Sequence, residues 1–296
     1  MCGYFEKKVK ESFCKFDLLD KIAKKQEVAS DYYAWVREGY KTYFEKVDSV
    51  SKSKFYIRYY RAKKLIYSSA QMLMEAKCSL ENECVIGYYY LIYYALFQAM
   101  QANLIFCIRY DNNKVIQLSH ENVKVYFDEQ FCKNGKCPLN NEIITLIEDL
   151  RSYREYYSYA MPFNLSEKAI IDISKVEYYI SVCCQLFNLH CFIVWQDIGK
   201  SFKFDSICED EIKKYLQCTC NRLGYDEFTD DADKNFWHEY KNMEGGEILP
   251  LSISFSHDFD EFRTYDSKVY ETLGMPRTQQ LVSKALKFLY DVVGGL

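Results

Sequence analysis

Residues 87–106 read GYYYLIYYALFQAMQANLIF and lie inside a run from Cys84 to Ile108 that carries no charged side chain. A second uncharged run extends from Tyr178 to Gln196. Each run is long enough to cross a bilayer, but each also contains amide side chains, which are costly at membrane depth. Helices buried inside a bundle accommodate such groups more readily. The two runs therefore predict two long core helices of a helical bundle and no membrane span.

The composition of the chain favours helices over strands. Of its 296 residues 49% are hydrophobic, and there are only 11 Gly and 4 Pro. Few helix breakers together with many Leu, Ile, Lys and Glu residues are typical of helical proteins. We expect Ser79 to cap the helix that holds the first uncharged run. Apolar spacing and turn signals predict helices over the ranges 5–27, 30–47, 54–77, 80–108, 120–130, 141–157 and 173–198.

The chain changes character beyond Gly199. Its apolar segments become shorter and charges alternate along it. Helical spacing is present at 209–222 and 278–293, whereas 248–255 alternates apolar and small polar residues as a strand does. We therefore expect a small mixed region of helices and strand in this part.

Two changes in the sequence pattern suggest three domains. A polar break at 51–53 separates N-terminal helices from the middle of the chain, and Gly199 follows the second uncharged run. We expect a helical extension at 1–53, an up-and-down helical bundle at 54–200 and a C-terminal region of unassigned role at 201–296. The predicted fold class is mostly α.

The net charge and the cysteine content indicate the environment in which the protein works. The net charge of −4 argues against a protein that coats nucleic acid non-specifically. The chain has 13 Cys, an odd number, and its first 25 residues contain no apolar signal segment. These features predict reduced thiols and a cytoplasmic location.

One set of cysteines raises the question of a metal. Cys132 and Cys137 flank a turn, and Cys218 with Cys220 forms a further pair. Four thiolates would bind zinc well, but the second pair is spaced more tightly than in a usual zinc knuckle. We expect free thiols here, and neither a metal nor another cofactor.

Four segments in the middle of the chain form a recognisable series. They are GYYYLIYYALFQAMQANLIF at 87–106, LSHENVKVYF at 118–127, IITLIEDLRSYREYYSY at 143–159 and IDISKVEYYISVCCQLFNLHCFIV at 171–194. In that order and spacing they resemble HEPN domains, which are helical bundles found in bacterial toxin–antitoxin and phage-defence proteins and in some eukaryotic proteins. The resemblance covers about residues 54–198.

The resemblance implies a bundle that commonly dimerises and, in active members, a metal-independent endoribonuclease. Active members place a His within a few residues after an Arg, and two protomers bring these pairs together in a cleft at the dimer interface. No His follows Arg151 or Arg154 in that window, where tyrosines stand instead. Some members with Asp-Tyr or similar residues there are binding modules rather than nucleases.

The candidate catalytic residues lie at the end of the third segment and in the second. Arg151 and Arg154 are three residues apart on a helix and project in similar directions, so they can hold a phosphate. His120 follows a Ser, as in the family, and could approach these arginines in space. The alternative interpretation is an exposed helix end with a capping histidine. The full candidate set is Arg151, Arg154, Tyr157, Tyr159 and His120.

A second candidate surface lies on the helix predicted at 54–77. Lys54, Arg58 and Arg61 form a basic stripe at helical spacing, interleaved with tyrosines. Cations mixed with aromatic rings suit a single strand of RNA, and Tyr156 is a further candidate for base stacking. The alternative interpretation is an ordinary solvated helix face.

Together these observations predict a HEPN-like protein of defence or toxin–antitoxin type that binds or cuts RNA through arginines and tyrosines at the end of the bundle. The alternative is a non-catalytic interaction or nucleotide-binding module, such as a subunit or an antitoxin-like partner. Helices rich in Tyr and Phe with uncharged faces also predict a homodimer or a complex with a protein partner.

Overall fold

A computed structural model describes residues 3–9, 13–116, 118–160, 171–198, 248–254 and 276–295. These ranges are mainly helical and contain no strand, only an isolated bridge between Cys14 and Gly294. The predicted mostly α helical bundle is thereby confirmed. The helices are α1 Tyr4–Val9, α2 Asp17–Ala23, α3 Gln26–Lys46, α4 Ser49–Glu81, α5 Val85–Phe106, α6 Asn112–Ile116, α7 His120–Phe127, α8 Glu142–Glu155, α9 Ile173–Ile198 and α10 Pro276–Val293. The π-helical segments Asp128–Cys132 and Tyr156–Ala160 extend α7 and α8.

Helices α4 and α5 pack along their lengths as a hairpin. The side chain of Asp48 begins α4 by accepting a hydrogen bond from the Ser51 amide at 2.8 Å. At the other end, Nδ2 of Asn82 donates to the Cys78 carbonyl at 2.7 Å. Glu83 then reverses the chain with φ at 59°. Between the caps at Asp48 and Asn82 the chain forms one continuous helix, α4, of 33 residues.

Two boundaries expected within α4 are wrong. The polar break at 51–53 is helical, because the Ser53 hydroxyl bonds back to the Ser49 carbonyl at 2.9 Å and leaves the helix intact. Ser79 does not begin the following helix, which starts at Val85 after the turn. The expected domain boundary at residue 53 therefore falls inside a continuous helix.

Polar side chains in the uncharged helices α5 and α9 are buried and hydrogen-bonded. Nδ2 of Asn103 donates to the carbonyls of Ala99 at 2.9 Å and Cys183 at 3.0 Å, which links α5 to α9. Oε1 of Gln185 accepts from the Leu18 amide at 3.0 Å and so joins α9 to α2. The amides that argued against a membrane thus serve as links between core helices.

Among the described residues, one stretch, Ile173–Gln196 of α9, is long and apolar enough to cross a membrane. Within it, 89% of the most apolar window is buried by the rest of the protein. Such burial is typical of the core helix of a bundle.

The N-terminal helices pack against α9 around a buried histidine. The Tyr32 hydroxyl lies 2.8 Å from Nε2 of His190, and the Tyr40 hydroxyl lies 3.2 Å from Nδ1. Burial lowers the pKa of His190 to about 3, so the imidazole is neutral at pH 7. Both of its nitrogens are therefore used to attach α3 to the bundle.

The single helix expected over 5–27 is wrong, since two short helices, α1 and α2, take its place. Residues 13–16 leave the helical conformation, and the Lys15 amide donates to the carbonyl of Val293 at the end of α10. Gly294 makes this approach possible: its φ is 78°, and a Cβ there would overlap the Phe13 carbonyl.

The C-terminal part agrees with the sequence in one element and differs in another. Helix α10 confirms the helix expected at 278–293 and packs on α4 and α9. Residues 251–254 form a helical turn, so the strand expected at 248–255 is wrong there. The helix expected at 209–222 lies outside the described residues, and the domain boundary at 200 stays a prediction.

Candidate functional site

Three helices meet at one end of the bundle and bring the arginines to the histidine. The Ser119 hydroxyl caps α7 by accepting from the Asn122 amide at 3.2 Å, which places His120 at the first turn. Arg151 and Arg154 lie in the last turns of α8, and tyrosines of α5 lie between. We call His120, Arg151, Arg154, Tyr93 and Tyr94 the Arg–His cluster.

Tyr93 holds the cluster together through both its hydroxyl and its ring. The hydroxyl lies 2.7 Å from Nδ1 of His120. The guanidinium carbon of Arg154 lies 4.6 Å from the ring centroid, at cation–π distance. The imidazole also stacks on Phe97, with centroids 4.4 Å apart. Arginine and histidine therefore share one tyrosine, although they are far apart in sequence.

The environment keeps the imidazole of His120 neutral. Desolvation, followed by the positive charges of Arg154 and Arg151, lowers its pKa. Burial raises the pKa of Tyr93 to about 12, so its hydroxyl stays protonated at neutral pH. The Nε2 atom of His120 has no hydrogen-bond partner in the part of the chain that the structure describes, and the residue is exposed. That nitrogen is therefore open to exchange a proton with a ligand.

The two arginines are held by carboxylates and a tyrosine. Nε of Arg151 donates to Glu155 at 2.9 Å, and its Nη1 to Glu121 at 3.2 Å. Arg154 donates to Glu155 at 3.2 Å and to the Tyr94 hydroxyl at 3.1 Å. The bond from Arg151 is the main cause that lowers the pKa of Glu155, whereas the bond from Lys124, with a smaller contribution from Arg151, lowers the pKa of Glu121. The ion pairs of Arg151 are on the surface, so an anionic ligand can displace the carboxylates from Arg151 at small cost.

The sequence anticipated part of this arrangement. Arg151, Arg154 and His120 were candidates from the sequence. Glu155 pairs with both arginines, whereas Glu148 pairs with Lys124 at 3.0 Å. Tyr93 and Glu121 were missed. Tyr93 lies on α5 and Glu121 on α7, and both come near the arginines of α8 only in the folded protein. Sequence spacing therefore gives no sign of these contacts.

The tyrosines after Arg154 separate into two groups. The π-helical segment puts Tyr157 in the core, 3% exposed and stacked on Tyr89 with centroids 4.7 Å apart. Its prediction as a catalytic group is therefore wrong. Tyr159 is 80% exposed and Tyr156 is half exposed, so both rings are available to a ligand. Tyr90, one helical turn before Tyr94, is a further exposed ring next to the cluster.

The basic stripe of α4 is not on a solvated face. Arg58 is 1% exposed and donates to the carbonyls of Ile105, Cys107 and Tyr110 at 2.7, 2.7 and 3.1 Å. These bonds satisfy carbonyls where α5 ends and the following loop begins. Arg58 is therefore a structural residue, and its prediction as an RNA contact is wrong.

Arg61 is also buried, at 5% exposure, and burial followed by the charge of Arg58 lowers its pKa to about 10. Its Nη1 reaches the Val115 carbonyl only at 3.5 Å, and its Nε and Nη2 have no partner among the described residues. Its prediction as an RNA contact is wrong for the same reason as that of Arg58. Lys54 is half-buried and lies apart from the Arg–His cluster.

The cysteines offer no metal site in the described ranges. No disulfide joins any two of them, and no group of three or more His, Cys, Asp or Glu side chains there is placed to hold a metal ion. Burial raises the pKa of Cys132 and of Cys137 to about 12, which disfavours the thiolate that zinc requires. Cys218 and Cys220 lie outside the described residues.

Comparison of the chain with protein-family models, with curated proteins and with solved structures finds no match.

Proposed function

We propose that this chain is a HEPN-like protein of defence or toxin–antitoxin type that acts on RNA at the Arg–His cluster. One observation carries the proposal: His120 and Arg154 contact the same side chain, Tyr93, at an exposed end of the bundle. The histidine that the family places just after its arginine is missing here. His120 lies on a different helix from the arginines and supplies an imidazole in its place. The cluster therefore again combines arginine with histidine.

Binding would begin with the phosphates of RNA. The guanidinium of Arg151 is 45% exposed and points two donors at surface carboxylates. A phosphate oxygen replaces such a carboxylate with charge-assisted hydrogen bonds of similar geometry. The exposed rings of Tyr90, Tyr156 and Tyr159 supply faces on which unpaired bases stack. This combination favours single-stranded over duplex RNA.

Cleavage would use the neutral imidazole as a general base. Nε2 of His120 takes the proton of the ribose 2′ hydroxyl, and the resulting oxyanion attacks the adjacent phosphorus. The bond from phosphorus to the 5′ oxygen breaks, and a 2′,3′-cyclic phosphate forms. Arg151 and Arg154 stabilise the negative charge that develops on the phosphoryl oxygens. No metal ion takes part in these steps.

The leaving 5′ oxygen needs a proton from the side opposite His120, because attack at phosphorus is in line. A homodimer in which two clusters face each other would bring a second imidazole to that side. The HEPN resemblance implies such a dimer, and the exposed tyrosines beside the cluster are residues typical of protein interfaces. We therefore propose the dimer as the active form.

The test is cleavage of a single-stranded RNA by the purified protein in excess EDTA. We expect products that end in a 2′,3′-cyclic phosphate. Replacement of His120 by Gln removes the base, so cleavage falls by at least ~100-fold while RNA binding is retained. Asn113→Gln, an exposed and uncharged change elsewhere, is the matched control. Cleavage that persists in the His120→Gln protein rejects the catalytic role.

A second candidate function is a non-catalytic module that binds RNA, a nucleotide or a protein partner. The observation that favours it is the charge balance of the site, where Glu121 and Glu155 already occupy the donors of Arg151. This candidate predicts that the wild type cleaves no RNA in the same assay. It also predicts that the wild type binds RNA or a nucleotide and that Arg151→Gln and Arg154→Gln weaken this binding.

A further inference from the structure

A cavity of about 330 Å³ opens between α3 and the loop that follows α5. Its walls include Trp35, Val36 and Tyr40 of α3 on one side and Ile108 with Arg109 on the other. The volume lies at the lower end of the range for small-molecule sites in proteins. The cavity does not include any residue of the Arg–His cluster.

The interior of the cavity offers a ligand an apolar surface. His190 borders it, but both of its nitrogens already bond to tyrosine hydroxyls. The Tyr40 hydroxyl donates to the Phe106 carbonyl at 3.2 Å as well. Oε1 of Gln130, a buried residue, accepts from Arg109 at 3.1 Å. A ligand in this cavity would therefore bury apolar surface and form few hydrogen bonds.

The mouth of the cavity carries one positive charge. Arg109 is exposed and uses Nη1 for Gln130, whereas its Nε and Nη2 have no partner among the described residues. No carboxylate of these residues forms an ion pair with it. The Nε–Nη2 edge of a guanidinium binds a carboxylate or a phosphate through two parallel hydrogen bonds. Trp35, 36% exposed, leaves a large apolar ring at the same opening.

We propose that this cavity binds a small amphipathic molecule with an apolar body and a single oxyanion head. The body packs between Trp35, Tyr40 and Ile108, and the head pairs with Arg109. The proposal is independent of the RNA function, since it shares no residue with the Arg–His cluster.

The experiment titrates the 296-residue chain with decanoate and decyltrimethylammonium below their micellar concentrations, and with decan-1-ol below its solubility limit, by calorimetry and by tryptophan fluorescence. The three probes share one apolar chain and differ in the charge of the head. We expect decanoate to bind at least ~tenfold more tightly than the alcohol, a difference typical of a charge-assisted hydrogen bond, and the ammonium to bind least. Monodecyl phosphate distinguishes the head groups, because the tighter of the two anions identifies the preferred oxyanion.

Two variants locate the binding. Arg109→Gln should make decanoate bind as weakly as decan-1-ol, whereas Lys41→Gln, which removes an exposed charge from α3, should change nothing. Gly39→Leu should block decanoate and decan-1-ol alike, because a Cβ added at this position would lie 3.5 Å from Ile108 Cδ1 and a longer side chain would fill the space. The proposal is overturned if decanoate does not bind, or if Arg109→Gln leaves the preference for decanoate intact.

Discussion

The hydroxyl oxygen of Tyr93 lies 2.7 Å from Nδ1 of His120, and this contact joins α5 to the first turn of α7. The phenol stays protonated at neutral pH, since burial raises its pKa to about 12. If the hydroxyl donates, Nε2 of His120 carries the proton; if Nδ1 donates, Nε2 is a free base. The contact of Tyr93 with Nδ1 therefore sets the protonation of Nε2, the nitrogen that acts as the base in the proposed cleavage, and makes Tyr93 a positioning residue in that proposal.

Tyr93→Phe removes the hydroxyl and keeps the ring under Arg154. We expect RNA affinity to change by less than about twofold, whereas cleavage falls about tenfold, the rate equivalent of one neutral hydrogen bond. Imidazole ¹⁵N shifts of His120 should move from one dominant tautomer to a mixture. Tyr178→Phe, on helix α9 and outside the Arg–His cluster, serves as the control. A variant with unchanged cleavage and unchanged tautomer would show that the contact has no positioning role.

Arg154→Met should raise the pKa of His120. Desolvation is the main cause of the lowered pKa, and the charges of Arg154 and Arg151 add to it. Removing one positive charge makes the imidazolium less unfavourable, so the midpoint moves towards the ordinary value of about 6.5. An NMR titration of the His120 ring measures this directly. A midpoint that falls or stays constant contradicts the geometry of the cluster.

Arg58→Met and Arg61→Met are a matched pair on α4 with opposite expected results. The first leaves three buried carbonyls without their donor and should lower the free energy of unfolding by about 3 kcal/mol. The second removes a buried charge whose Nε and Nη2 have no acceptor among the described residues, so stability should fall by less than about 1 kcal/mol or rise. Urea unfolding of both proteins gives the comparison. Equal losses would mean that the two arginines have equivalent surroundings.

His190 should make the fold sensitive to acid. Its pKa is about 3 in the folded protein, below the ordinary value of about 6.5 for an unfolded chain. Between these values the unfolded chain binds the extra proton, so stability is complete above pH 6.5 and declines as the pH falls. The slope attributable to this group is about 1.4 kcal/mol per pH unit. Unfolding measured from pH 7 to pH 4 should be less steep for His190→Gln than for the wild type, and equal slopes would contradict the assignment.

Much of the bundle follows from the sequence alone. The uncharged run in α5 and the one in α9 predicted core helices, because a helix that is apolar on all sides has no face for water. The helix ends were harder to place. Ser79 is followed by acidic residues, as helix starts often are, yet the side chain of Asn82 caps the preceding helix there. The composition of residues 79–83 fits either the end of one helix or the start of the next, so it did not locate the boundary.

The candidate site was predicted in part. Arg151, Arg154 and His120 meet as expected, since each occupies a helix end that the pattern located. The stripe containing Arg58 was misread, because cations between tyrosines suit RNA and also suit a buried helix. In the segment FYIRYYRA at 55–62 most neighbours of Arg58 are apolar or aromatic, and that signal pointed to burial. Tyr93 was missed because its partners come from two other helices.

The affinity for single-stranded RNA tests the central claim most directly. A fluorescently labelled RNA is titrated with the wild type, with the Arg151→Gln and Arg154→Gln double variant, and with a Lys114→Gln and Lys136→Gln double variant that carries the same change of charge at other exposed positions. The Arg–His cluster predicts that Kd rises at least ~tenfold in the arginine variant, from the loss of charge-assisted hydrogen bonds, and changes little in the lysine variant. An arginine variant that binds RNA as tightly as the wild type, or no more weakly than the lysine variant, would contradict it.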